Sequence, residues 1–337
     1  MMKVIREDAL RALSSVRPGL DSKESVVQST CLVFTKGRVH TFNGELACSI
    51  KSPFGKFEGA VEAEGLLGML EKYPDETIDF EQDDKIFKIK GKKKETSFPI
   101  EAVNLPIEVV EEPGDWEELP DEFEEAVKLV WPCSSTEESE FKLTCIHCTS
   151  TFIESTDRFQ LGQYPLDLPL FEEETLIRAS SAGKLCGYGM VAYSVTDSWV
   201  HFKNKSGLII SCRQFKSDYK DTSQFLETDG MKRIQLPGGL QEVVARAHHI
   251  SSTNVLESSV IVKLMKERVI VEGKGTRGHH REMEKITFEG EPMEFHISPR
   301  LINEVSKKSN TCLIGNGRMI VDTGKFKYLT VIAVPEV

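Results

Sequence analysis

The 337-residue sequence has no long hydrophobic run; nothing in it approaches the ~20 consecutive apolar residues that a membrane-spanning helix needs. Charges are scattered among the apolar positions of the first twenty residues, so we expect no signal peptide and a soluble, cytoplasmic protein. Positive charge is not in excess either. The 42 Lys and Arg residues face 53 Asp and Glu residues, a net charge of −11. That balance argues against a protein that coats nucleic acid by bulk charge, but it leaves open a basic inner surface.

Catalytic signatures are also missing. There is no HExxH, GxSxG or Walker A pattern. Cys145 and Cys148 form a lone CxxC inside a strand-like run, with no second pair to complete a zinc site. His248-His249 and His279-His280 are adjacent pairs, not ligands one helical turn apart. Gly273 to Gly278 spells GxGxxG, but alternating residues follow it where a dinucleotide site needs a helix, so a hairpin turn is expected. The eight cysteines are scattered and read as reduced, buried thiols. No cofactor, no metal and no enzymatic activity are expected.

What is present is globular composition, 39% hydrophobic and 28% charged, and a recurring order of elements. Apolar residues at helical spacing predict helices over Arg6 to Val16, Glu62 to Tyr73, Asp121 to Val130, Ala179 to Cys186 and Gly238 to Ala247. A sixth opens at Ser298-Pro299, an N-cap followed by proline at the first helical position. Short alternating runs between them predict antiparallel strands, with turns at Lys36-Gly37, Asn43-Gly44 and Asp83-Asp84. One predicted strand covers 26–34 and another 141–148. The acidic, proline-bearing stretch Glu108 to Pro120 reads as a linker.

The first helices of successive blocks begin about 114 and 117 residues apart, and the second helices about 117 and 119. The expectation is an α+β chain of three tandem helix–strands–helix–strands blocks at 1–110, 117–226 and 231–337. Basic side chains fall on or beside the helices: Arg6, Arg11, Lys128, Lys184, Arg246, Lys307 and Lys308, with Lys23 in the loop after the first. Helices of like build, packed side by side, would gather these charges on one surface.

This organisation resembles the bacterial-type DNA sliding clamp, the beta subunit of DNA polymerase III. The segment from Phe152 resembles that family's Ala–Thr–Asp–Gly–His–Arg–Leu motif. Thr156, Asp157 and Leu161 match it, while Arg158, Phe159 and Gln160 replace its Gly, His and Arg. Tyr328 to Pro335 resembles the family's C-terminal Tyr, valines, Met and Pro, and then Glu336-Val337 stands where the family continues with Met, Arg and Leu.

The resemblance implies three clamp domains, with helices lining one face of antiparallel sheets. It implies a head-to-tail homodimeric ring around duplex DNA, contacted through phosphates without sequence readout. It also implies docking of the replicative polymerase and the clamp loader by a short peptide. The pocket for that peptide would include Thr156, Asp157, Leu161, Leu226, Ile332, Val334 and Pro335, with a peptide preference altered by the substitutions at 158–160, as in a divergent clamp that a phage encodes. The dimer seam would set Lys92, Lys93 and Lys94 against Glu282 and Glu284, with His249 and Ile250 supplying packing. Two other readings stay open: a clamp-fold scaffold that does not encircle DNA, and a β-rich thiol or metal enzyme using Cys145, Cys148 and the histidines.

Overall fold

The computed structural model describes residues 2–83, 85–251, 259–276 and 278–335. Asp84 of the expected turn, Arg277 of the GxGxxG stretch and Glu336-Val337 lie outside the described residues. The structure is α+β, with six α-helices among the described residues: α1 (Arg6–Ser15), α2 (Ala63–Lys72), α3 (Phe123–Val130), α4 (Ala179–Gly183), α5 (Leu240–Ser251) and α6 (Pro299–Lys308). They fall where the apolar spacing predicts them, within a few residues at each end. No helix among the described residues is long and apolar enough to cross a membrane.

Local chemistry sets the helix ends. The Glu62 carboxylate accepts from the backbone N–H groups of Glu64 (2.8 Å) and Gly65 (2.6 Å) and caps α2, which gives way ahead of Pro74. Helix α6 begins with proline at its first position and ends on Lys307 and Lys308, where cations favour the negative end of the helix dipole.

Each helix follows a short strand and precedes three more, so the order strand–helix–three strands runs six times among the described residues. The leading strand pairs across halves. Met2–Ile5 pairs with Thr77–Gln82 and Gly59–Glu62 with Cys31–Thr35. Glu117–Glu118 pairs with Met190–Val195, Lys232–Gln235 with Thr311–Gly315, and Met293–Ile297 with Val260–Met265. These leading strands, two to five residues long, are too short to alternate visibly and were not predicted.

Two predicted strands begin later than expected. Residues 26–30 form a turn, with Gln28 at φ 61° and Ser29 N–H bonded to the Val26 carbonyl, so the strand is Cys31–Thr35. Glu138–Thr144 is 3-10 helix, leaving Cys145–Cys148 as the strand.

Contacts divide the chain into two compact units. Unit 1 is Met1–Lys128, Cys148–Ser150 and Asp167–Ser217; unit 2 is Leu129–His147, Thr151–Leu166 and Asp218–Val337. Residues of the expected second block, 117–226, are thus divided between them. In unit 1, α1 buries Ala9 and Leu13 while α2 buries Leu66, Leu67 and Leu70. Phe34, Phe54, Phe57, Phe80 and Phe87 fill the core. In unit 2, α5 and α6 bury Val243, Val244, Ala247, Leu301, Ile302 and Val305 with strand residues Val262, Leu264, Val269 and Phe295. At about 25 cal/mol per Å² of apolar surface, these stripes rather than helix propensity hold such short helices.

Candidate functional site

The segment that carries the clamp-like motif is a hairpin of unit 2. Strands Phe152–Thr156 and Gln160–Pro165 pair with Thr156 opposite Leu161. The turn is organised by its own side chains. Asp157 Oδ1 accepts the N–H groups of Phe159 and Gln160, both at 2.9 Å. Thr156 Oγ1 donates to the Gln160 carbonyl at 2.6 Å and accepts from Arg158 N–H at 3.1 Å. Arg158 sits at φ 76°, a left-handed conformation that glycine adopts without strain, and its guanidinium pairs with Glu140. Asp157 Oδ2 receives Arg300 from the first turn of α6 at 2.9 Å. Thr156 and Asp157 therefore build the turn and need no ligand to be satisfied.

Behind the turn lies an apolar cluster. Leu161, Leu226, Ile320 and Leu329 are buried together, with Met231, Leu313 and Val331 packed against them. Tyr328 OH donates to Gln160 Oε1 at 2.8 Å, and Val331 N–H bonds the Phe159 carbonyl at 2.9 Å, which locks the C-terminal strand beside the turn. Burial raises the Tyr328 phenol pKa well above its ordinary value, so it stays a donor.

Leu226 is held by a buried polar network. Glu154, 1% exposed, accepts from Thr222 Oγ1 (2.6 Å) and Gln163 Nε2 (3.0 Å) and lies 3.0 Å from His147 Nδ1. Thr222 leads directly into the turn Ser223–Leu226. Of the remaining pocket candidates Ile332 is buried, whereas Val334 and Pro335 are exposed. Phe159 and Phe225, 59% and 47% exposed, add apolar surface on the same elements. Sequence reasoning missed Ile320, Leu313 and Met231, because alternation within one strand does not say which other strand faces it.

The basic candidates divide sharply. Arg11 is 79% exposed, 3.8 Å from Asp8, and Lys23 and Lys128 are exposed. Arg6 is 17% exposed and donates to the Leu70 carbonyl on α2 at 3.1 Å, so it ties two helices together. Lys184 donates to the Pro18 carbonyl at 3.0 Å. Arg246 makes a two-pronged pair with Glu282, at 2.8 and 2.7 Å, and Lys307 lies 2.7 Å from Glu304. Lys308 departs from the expected exposed cation: it is 13% exposed, with its ammonium over the rings of Phe326 and Tyr328 at 5.3 and 4.9 Å.

The seam candidates lie on sheet edges. Lys92 and Lys93 form the turn into Lys94–Pro99, the exposed outer strand of a four-stranded sheet in unit 1, and Lys94 pairs with Asp75 at 2.9 Å. Glu282 and Glu284 lie on Gly278–Lys285, the outer strand of a four-stranded sheet in unit 2. His249, exposed, and Ile250, half-buried, line a shallow groove with Ala245, Arg246 and His280 beside that strand. Glu282 already accepts from Arg246 and from His280.

The other motifs serve packing. Gly273 and Gly278 belong to a hairpin in which Gly275 faces Gly278. A Cβ at Gly273 would strike the Ala247 carbonyl, so this glycine admits α5 against the sheet. Cys145 and Cys148 are buried, and burial pushes the thiols of Cys48, Cys133 and Cys312 up to about 12. Among the described residues no group of three or more His, Cys, Asp or Glu side chains is placed to hold a metal ion.

No family model and no curated protein matches the sequence. Solved structures do match, over nearly the whole of both chains. The DNA polymerase III subunit beta from Pseudomonas aeruginosa aligns at 13% identity and TM-score 0.83, covering 98% of this chain and 99% of that one. The DNA polymerase sliding clamp from Bacillus subtilis aligns at 15% and 0.82, covering 99% of each. The beta subunit from DNA polymerase of Streptococcus pyogenes aligns at 15% and 0.84, again over 99% of each. The chain therefore has the fold of the DNA polymerase III beta sliding clamps, carried on a sequence that has diverged far from theirs.

Proposed function

We propose that the chain is a processivity factor without enzymatic activity, a sliding clamp acting on DNA in the cytoplasm. The observation that carries the reading is end-to-end coverage: the clamp structures match 98–99% of this chain with little left over on either side. In this reading residues 1–110, 117–226 and 231–337 are three clamp domains, and two copies close head to tail into a ring around duplex DNA.

The two exposed outer strands suit that closure. Lys94–Pro99 of one copy would pair with Gly278–Lys285 of the other, satisfying edges that otherwise invite aggregation. Lys92 and Lys93 would face Glu284, since Glu282 is engaged by Arg246 within its own chain. Phosphates would be met chiefly by Arg11, Lys23 and Lys128. The net charge of −11 would lie mostly outside, discouraging non-specific coating. The cluster of Leu161, Leu226, Ile320 and Leu329 would receive apolar side chains of a peptide from the polymerase or the clamp loader.

Negative-stain class averages, with the mass in solution recorded alongside, test the reading. A six-lobed ring with a central hole at dimer mass is expected. A compact monomer that stays monomeric on nicked circular DNA would overturn it.

A further inference from the structure

One sheet of unit 2 runs Gly278–Lys285, Arg268–Gly275, Val260–Met265 and Met293–Ile297, and its two faces differ in character. Gly273 meets α5, so alternation sends Val269 and Val271 the same way and the residues between them to the opposite face. Their partners in the neighbouring strands follow. Besides two histidines, that outer face carries five cations, Lys263, Arg268, Lys274, Arg281 and Lys285, against two carboxylates, Glu272 and Glu294. The four-stranded sheet of unit 1 sets Lys3, Lys88 and Lys90 against Asp79, Glu81 and Glu95, and balances. In a chain of net charge −11 the basic surplus on unit 2 is a local feature with a local cause.

Most of these charges are spent. Glu272, 5% exposed, has Lys263, Lys274 and Arg281 within 3.5 Å and His279 at 3.8 Å. Burial opposes its charge, but Lys263 and Lys274 hold the carboxyl below its ordinary value. Glu294 takes Lys263 as well, at 3.1 Å.

Two cations are not spent. Arg268 and Lys285 stand directly opposite each other in adjacent strands. Neither lies within ion-pair distance of a carboxylate among the described residues, Glu267 of the adjoining turn included. The polar contacts of the Arg268 guanidinium are with thioether sulfurs, Met265 Sδ at 3.2 Å and Met283 Sδ at 3.9 Å. A thioether is a weak acceptor. Like charges facing each other across two strands destabilise the pairing, and an anion laid over both would relieve the repulsion. Between Arg281 and Lys285, on the same face, Met283 is 53% exposed.

We propose that this face docks an acidic segment of a partner protein, anchored by Arg268 and Lys285 with an apolar side chain over Met283. The order Arg281, Met283, Lys285 sets cation, thioether and cation about 7 Å apart, the spacing of alternate side chains in an extended peptide. Methionine adapts to whichever apolar group meets it. A single-stranded nucleic acid suits the face less well: none of its outward residues is Phe, Tyr or Trp, so bases would find no platform to stack on. Docking on the face leaves the backbone edge of Gly278–Lys285 free for the seam. The inference goes beyond the clamp reading and does not rest on it.

The test uses the full chain and fluorescence anisotropy at low salt, with a labelled Glu-Ser-Glu-Ser-Leu-Ser-Glu peptide. Its glutamine twin should bind about tenfold more weakly. Arg268→Gln with Lys285→Gln should weaken the acidic peptide about tenfold or more. The melting temperature of the free chain should not fall in that variant, because the repulsion leaves with the charges. Met283→Ala should erase the advantage of the leucine peptide over one with serine in its place. Lys88→Gln with Lys90→Gln, which removes the same charge from the sheet of unit 1, should leave binding intact. Equal loss in that control or no loss in the Arg268 and Lys285 variant would overturn the proposal. So would a lowered melting temperature, which marks the two cations as structural, or tighter capture of a labelled oligothymidylate through the same pair.

Discussion

Units 1 and 2 use the same run of elements and fill it with different chemistry. In unit 1 five phenylalanines meet at the centre, with Phe80 and Phe87 4.7 Å apart and Phe34 and Phe57 4.9 Å apart. Unit 2 assigns the equivalent task mainly to branched aliphatic side chains from α5, α6 and the strands beneath them. Their cations differ as well. In unit 1 Arg6 and Lys184 are tied to backbone carbonyls but Arg11, Lys23 and Lys128 reach solvent, whereas the candidates of unit 2, Arg246, Lys307 and Lys308, are all engaged with carboxylates or aromatic rings. What the units share is the spacing of apolar positions and the strand pairing. That explains how one fold persists at 12–16% identity to the clamp structures: cores accept hydrophobic exchange as long as volume and patterning are kept.

The contrast between the cores predicts the largest effect. Phe87 contacts five other phenylalanine rings, so Phe87→Ala should cost about 3–5 kcal/mol, by lost transfer energy plus an unfillable cavity. Val305→Ala in α6 removes two buried methylene equivalents and should cost roughly 2 kcal/mol. Urea midpoints compare the two directly. Equal costs would break the distinction between a concentrated aromatic core and a distributed aliphatic one.

Acid should act next, through unit 1. Burial lowers the pKa of both His40 and His201 to about 4, with Glu111 opposing in part at His201. Each is neutral in the folded state, while an unfolded histidine titrates near 6.5. Between pH 6.5 and 4 the unfolded chain binds the extra proton, so the stabilisation is fully present above 6.5 and falls as the pH drops toward 4. For His201, 1% exposed, the loss is about 3 kcal/mol across that window. Fluorescence of Trp199, buried in the same unit, should report an acid-shifted denaturation midpoint that His201→Gln flattens. A pH-independent midpoint in the parent protein would count against this account.

A smaller effect belongs to the hairpin turn of unit 2. Asp157→Ala removes three hydrogen bonds to Phe159 and Gln160 and the pair with Arg300, and should cost roughly 2–3 kcal/mol. It should also weaken capture of an apolar clamp-binding peptide, because the turn holds Leu161 in register. Val334→Ala, at a half-exposed position outside the buried cluster, should leave stability unchanged and touch only peptide affinity. Loss of peptide binding with no change in midpoint for Asp157→Ala would show that the aspartate is a ligand rather than a brace.

The turn also marks how far the sequence could be read. Thr156, Asp157, Leu161 and Leu226 come from the resemblance to the clamp family rather than from local spacing; the structure adds that Thr156 and Asp157 brace the turn. Ile320 and Leu313 pair with near neighbours in the chain, but they reach Leu161 only because Leu329 pairs with it across a long stretch of sequence, which no local pattern encodes. All six helices are legible for the same reason that the leading strands are not: a helix of ten residues repeats its apolar stripe, while Glu117–Glu118 offers no period at all. Lys308 shows the converse limit. Its spacing puts it on a helix end, but only the fold brings Phe326 and Tyr328 beneath it.

That limit sets the smallest and most discriminating prediction, on the cations. A lysine already paired within its own unit gains little from a phosphate, because it must first surrender a partner; an exposed lysine releases counterions at once. Lys23→Gln and Lys128→Gln should therefore each lower the salt slope of residence on nicked circular DNA by about one, with weaker binding at low salt. Arg246→Gln and Lys307→Gln should change it far less, and Lys308→Gln should act on stability instead. If the unit 2 variants prove as costly as those of unit 1, Glu282 and Glu304 must release their partners on DNA. The intramolecular pairs would then be a resting state of a binding surface, and the difference between the two units would vanish in the complex.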